Sequence, residues 1–179
     1  MKRATRALAG IWMLALLPGC TVLGPAKFTG GGTMPSAGGT QKAVLTVNGD
    51  TCGSEPKGRI TYDDRSSVDF EGVGGVSLRA DVVKAGLCLG IDPNNPTFQD
   101  CNCPAWPAMV ADYTSTNPAA PGSGRLYACF MASRDQTVQG SDKHIVRVQE
   151  VRLVGGPFDN YINTGILDGS IQTHACTTQ

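Results

Sequence analysis

The chain has 179 residues, 15 basic and 15 acidic side chains, a formal net charge of zero and 6% aromatic residues. No surplus of positive charge is available to neutralise phosphates, which argues against nucleic acid as a partner. The 23 glycines and 11 prolines favour turns and short strands over helices, and the length suits one domain with a real core.

The N-terminus carries Lys2, Arg3 and Arg6, then an uninterrupted apolar or small-residue run from Ala7 to Leu17. Eleven residues suit the apolar region of a secretory signal and fall short of the about 20 needed to span a bilayer. The run closes on Leu17-Pro18-Gly19-Cys20, which resembles the lipobox of bacterial lipoproteins, with Pro18 replacing the usual Ala, Ser or Thr. The resemblance implies a signal peptide over 1–19 and lipidation of Cys20, which becomes the mature N-terminus. Several acyl chains anchor a protein stably where one binds only marginally. Thr21 stands where an Asp would imply inner-membrane retention, so the expected location is the bacterial envelope, at the outer membrane in a Gram-negative cell. The plainer alternatives are an ordinary signal peptide or a buried helix with a chance cysteine. Removing the leader leaves 12 basic against 15 acidic residues, a mildly acidic mature chain.

Residues 20–41 are rich in Gly and Pro and read as a tether whose later half can lie along the domain. Fully extended, some twenty residues reach about 65 Å. Residues 42–179 read as one domain. Ala43–Val47 is a short apolar strand closed by Asn48-Gly49-Asp50, and Arg59–Asp63 alternates with Ile60 and Tyr62 on one face. Val68–Glu71 and Val76–Val82 also alternate, and Gly72, Gly74 and Gly75 between them suggest a bulged hairpin. Residues 88–124 break the rhythm with six prolines and read as a long loop braced by disulfides. Strands resume at Leu126–Ala132, Ile145–Val154 and Ile166–Thr173. The expected fold is all-β, an antiparallel β-sandwich or flattened barrel of about seven to nine short strands with a disulfide-braced Pro-rich insertion.

With Cys20 set aside, six cysteines remain: Cys52, Cys88, Cys101, Cys103, Cys129 and Cys176. An even number in an oxidising compartment predicts disulfides of open connectivity, with Cys101 and Cys103 too close to favour each other. Four thiolates could instead hold zinc, but paired C-x2-C spacing is missing.

Three segments are similar to a family of bacterial secreted β-domains of the post-COAP type. They are Phe28-Thr29-Gly30-Gly31-Gly32 running through Pro35 and Gly38 to Ala43, Gly58-Arg59-Ile60-Thr61-Tyr62-Asp63-Asp64, and Tyr161 to His174. Asp135, Gly140 and Asp142 resemble the family's Asp/Gly-rich hairpin, whereas Gly169-Ser170 departs from an expected Gly-Asn. The resemblance covers roughly residues 28–174, with the middle replaced by the Pro- and Cys-rich insertion. It implies a fold and brings no enzymatic activity with it.

No nucleophile elbow, metalloprotease, phosphate-loop or dinucleotide motif occurs. His174 beside Cys176 could form a Cys–His pair, but a disulfide clamp and a strand histidine are the plainer reading. His144 reads as part of a polar loop. Asp63-Asp64, Asp135 to Asp142 and Asp159 could offer calcium oxygens, although Asp at turns commonly caps backbone instead. No catalytic residue, metal site or cofactor is therefore assigned. Phe98, Trp106 and Tyr113 are the candidate aromatic binding surface, with packing against a sheet edge as the alternative for Trp106. The sequence thus predicts a membrane-anchored, non-enzymatic binding or structural module with an unidentified protein or extracellular ligand as partner. The alternatives are a small envelope hydrolase, or an inhibitor or accessory subunit of an envelope partner.

Overall fold

The structure, a computed structural model, describes residues 26–88, 106–132 and 143–176. Period-two burial decides the architecture. Strand β2 (Lys42–Asp50) turns Ala43, Leu45 and Val47 inward and leaves Val44, Thr46 and Asn48 outside. The same alternation recurs in β3 (Lys57–Asp64) and β4 (Val76–Cys88). Around them stand β1 (Ala26–Pro35), β5 (Trp106–Ser115), β6 (Ser123–Ala132), β7 (Lys143–Val154) and β8 (Ile162–Ala175). Among the described residues these eight strands form one antiparallel up-and-down barrel, closed where β1 pairs with β8.

An eight-stranded barrel encloses a space that side chains can just fill. Leu45, Ile60, Met109, Leu126, Phe130 and Ile171 fill it here, each with essentially no exposure. The outward positions include Lys27, Arg59, Arg79, Asp81 and Asp112, all exposed. This inside-apolar, outside-charged pattern is the reverse of a transmembrane barrel, whose outer band is apolar.

Closure depends on glycine in β1. A Cβ on Gly30 would lie 2.2 Å from the Ser170 carbonyl oxygen of β8, and one on Gly31 would lie 2.2 Å from the Leu45 carbonyl oxygen of β2. Gly30 also has φ +135°, a conformation that side-chain-bearing residues rarely adopt. The glycine run is therefore a strand squeezed between two neighbours. Residues 26–41 of the expected tether are instead β1 and the connection that follows it, and Phe28 and Met34 belong to the core.

Two further expectations are corrected. Val68–Val73 forms a 3-10 turn rather than a strand, ended by Gly74 in the left-handed region. Four alternating residues fit a strand and a short turn equally well. Here Phe70 is needed as a plug, packing edge-on to Phe158 at 5.7 Å and against Tyr161 at 5.9 Å. The presumed loop over 88–124 contains β5, a full barrel strand paired with both β4 and β6. Its alternation is hidden because Met109, Val110 and Ala111 are all buried, which reads as an apolar run.

The two ends of the barrel differ. One, the closed end, carries the connections 36–41, 65–75, 116–122 and 155–161. These interlock: Asn117 Nδ2 donates to the carbonyls of Val73 (2.8 Å) and Gly75 (2.9 Å), and Val68 N–H donates to the Ala37 carbonyl (3.2 Å). At the other, the Cys52–Cys176 disulfide joins the β2–β3 turn to the residue after β8, with Cα atoms 5.5 Å apart. Both cysteines flank the start of β1, so the bond staples across the seam.

Gly30→Ala should lower unfolding free energy by at least about 2 kcal/mol, from backbone strain and the collision with β8. Gly53→Ala, where an added Cβ meets only the Glu55 carbonyl oxygen at 3.8 Å, should stay within about 0.5 kcal/mol of wild type. Urea unfolding midpoints compare the two.

Candidate functional site

Two places gather polar chemistry: the barrel interior at the closed end and a groove on the outer wall. In the interior, the last residue of β3, Asp64, has no exposure. Its carboxylate accepts hydrogen bonds from Ser36 Oγ, from Ala37 N–H at 2.9 Å and from the Tyr161 hydroxyl at 2.7 Å. The Tyr161 and Tyr62 hydroxyls are 2.6 Å apart, and Asn163 Nδ2 donates to the Tyr62 hydroxyl at 2.7 Å and to the Pro35 carbonyl at 2.9 Å.

Proton counting orders this chain. A carboxylate only accepts, so Tyr161 gives its one proton to Asp64, and Tyr62 must give its own to Tyr161. The direction is Asn163 to Tyr62 to Tyr161 to Asp64. Burial is the first cause that pushes the Tyr62 hydroxyl well above the usual phenol range, with the neighbouring Asp64 adding to it. Burial also dominates the larger rise at Tyr161, followed by its proximity to Tyr62 and Asp64. Phenols held neutral this firmly are poor proton donors or nucleophiles near neutral pH. The cluster is a saturated structural bolt that joins β1, β3 and β8 from within.

The groove lies on the outer faces of β4 to β7 and has a volume of about 700 Å³. Tyr127, Val83 and Val154 supply apolar lining, and Asp81, Asp112, Thr114, Ser123 and Arg125 supply polar groups. A row of charges crosses four strands in register: Arg59 pairs with Asp81 at 3.2 Å, and Asp112 with Arg125 at 2.7 Å. Asp81 and Asp112 are direct cross-strand neighbours, which places an acidic centre between two arginines. Next to the groove, Val110, Tyr127 and Cys129 are buried although they lie on the side of their strands opposite Met109, Leu126 and Ala128.

The sequence candidates separate on this framework. Cys20, Phe98, Cys101 and Cys103 lie outside the described residues, as do Asp135 and Asp142. Cys88 and Trp106 are register partners where β4 meets β5. Cys52 and Cys176 form a disulfide, which removes Cys176 as a nucleophile beside His174. His174 sits across from β1 with Nε2 3.3 Å from Thr29 Oγ1. Tyr113, expected on an exposed surface, is 1% exposed instead. It follows Met109 and Ala111 on the inward face of β5, stacks on Phe158 and donates to the Gly155 carbonyl at 2.6 Å.

The carboxylates weighed for calcium hold hydrogen-bond donors. Asp63 accepts from Ser77 and Arg65, and Asp159 accepts from Gly155 N–H at 2.7 Å in a turn-capping contact. Among the described residues no group of three His, Cys, Asp or Glu side chains could hold a metal ion. The groove escaped the sequence reading because its residues come from four strands, β4 to β7, and share only register. Comparison with family models, curated proteins and solved structures finds no match for this chain.

The tyrosines make the fold sensitive to alkali. Tyr62, Tyr113 and Tyr161 all have raised folded-state values, so the unfolded chain releases protons first. Their contribution to stability is complete below about pH 10 and is lost as pH rises beyond it. Phenolate absorbance from these three should therefore appear together with unfolding, and the urea midpoint should fall between about pH 9.5 and 11. Tyr161→Phe takes a donor from Asp64 and an acceptor from Tyr62, and should cost about 1–3 kcal/mol in the same urea assay.

Proposed function

We propose that this chain is a lipid-anchored bacterial envelope protein whose barrel is a non-catalytic binding module working through its outer wall. The observation that carries this reading is the contrast between the two polar sites. The interior cluster is saturated, shut in and held neutral at its phenols. The groove is open, with apolar lining, unburied carboxylates and an arginine that is one-third exposed. A cleft that sets aliphatic groups such as Val83, 40% exposed, beside exposed charges has the mixed chemistry of a recognition surface. Anchoring rests on the sequence, on the basic flank, the eleven-residue apolar run and Leu17-Pro18-Gly19-Cys20.

Cys20→Ala should move the protein from the membrane fraction to the soluble fraction and abolish incorporation of a fatty-acid probe. Unchanged labelling refutes the lipobox reading. For the groove, a photo-crosslinking residue at Thr114 should give a discrete adduct in intact cells, while one at Thr46 on the outer face of β2 should not. Equal adducts from both positions, or none from Thr114, count against the groove as the working surface.

A further inference from the structure

We infer that the barrel stands on the membrane by its disulfide end, with the groove on the wall furthest from lipid. This rests on the lipidation of Cys20 proposed above. Ala26, where β1 begins, follows Cys20 by six residues. Six backbone steps span at most about 20 Å.

The register fixes which part of the barrel that short lead reaches. Ala26 pairs with Ala175, Lys27 with Asp50 and Asp50 with Lys57, so these positions share one level at the disulfide end. The tether cannot lengthen easily by peeling β1 away. Cys52–Cys176 clamps the elements on either side of its first residues, and Lys27 is ion-paired to Asp50 at 3.1 Å. From this level a strand of nine or so residues climbs roughly 20–25 Å along the axis once its tilt is allowed for. An inverted barrel, with its closed end on the lipid, would lift Ala26 to or past the limit of a fully extended tether.

The strand order excludes the groove from the lipid in the second dimension as well. The barrel closes in sequence order, so β5 lies diametrically opposite β1. The groove is centred on β5 and lies toward the closed end, where β6 begins at Ser123 and β7 ends at Val154. It is therefore remote from the anchor both around the barrel and along it. A barrel that leans does so onto the β1 side and leaves the groove facing away.

The test uses the full acylated protein in vesicles of phosphatidylethanolamine and phosphatidylglycerol that contain a headgroup spin-labelled lipid. One fluorophore is placed, through a non-canonical residue, at Glu55 in the β2–β3 turn, at Glu71 at the closed end, or at Thr114 in the groove. Quenching at Glu55 should exceed that at Glu71 and Thr114 by at least about threefold, given their separation of roughly 20 Å or more. Inserting a long Gly-Ser spacer between Pro25 and Ala26 should bring Glu55 down to the level of the others. Quenching that is equal at all three positions, or strongest at Glu71 or Thr114, overturns the orientation, as does a spacer without effect. Mass spectrometry and vesicle flotation are read first. A protein without acyl chains on Cys20 that does not float refutes the anchor itself, an outcome distinct from an acylated protein quenched in the wrong pattern.

Discussion

Everything in this molecule depends on the seam between β1 and β8. The two strands come from opposite ends of the described chain, with Ala26 facing Ala175, so the pairing is the longest-range contact the fold must make. Loop closure at that distance is entropically costly and slows folding. Two features offset the cost. Gly30 and Gly31 let three backbones approach where any side chain would collide. The disulfide, spanning 124 residues, removes conformations from the unfolded chain and is worth about 3–5 kcal/mol in the chain-entropy account. The second forms and persists in an oxidising compartment.

Once closed, a barrel of eight strands has little interior to spare, and polar groups inside it must satisfy one another. The Asn163–Tyr62–Tyr161–Asp64 chain meets that demand with each proton assigned to one acceptor. Because Asp64 also binds Ser36 and Ala37, the same chain fixes the β1–β2 connection over the closed end. Phe70 and Asn117 complete the seal by joining the 65–75 and 116–122 connections. The polar groups of the interior are therefore spent on one another and on closing that end of the barrel.

Much of the strand pattern was legible because period-two burial leaves a direct trace. Ala43–Val47, Arg59–Asp63 and Val76–Val82 each fall within an observed strand. Three regions were misread for physical reasons. Glycine in β1 signals close packing between strands, but in sequence it is indistinguishable from a flexible linker. In β5, burial on both faces removes the alternation that marks a strand. At Val68–Glu71 the alternation is real but too short to separate a strand from a turn. The candidate site was less legible than the fold. Tyr113 could have been assigned to the core from its two-residue spacing after Met109 and Ala111. The row Arg59, Asp81, Asp112, Arg125 could not have been found, since nothing in sequence fixes the register of four strands at once.

The misreading of β1 has the largest consequence for function. A tether running to residue 41 would let the domain wander about 65 Å from its anchor, and no face would hold a fixed relation to the membrane. With β1 beginning at Ala26, only six backbone steps separate the proposed lipidation site from the wall, a span of at most about 20 Å. Under the proposed anchoring, the same glycines that permit closure also set the barrel's posture, because they draw Ala26–Pro35 into the wall. The staple then prevents that strand from being given back. Under the proposed lipidation of Cys20, fold closure and membrane geometry become one constraint, and the groove on β5 lies on the wall opposite the strand that carries the lead.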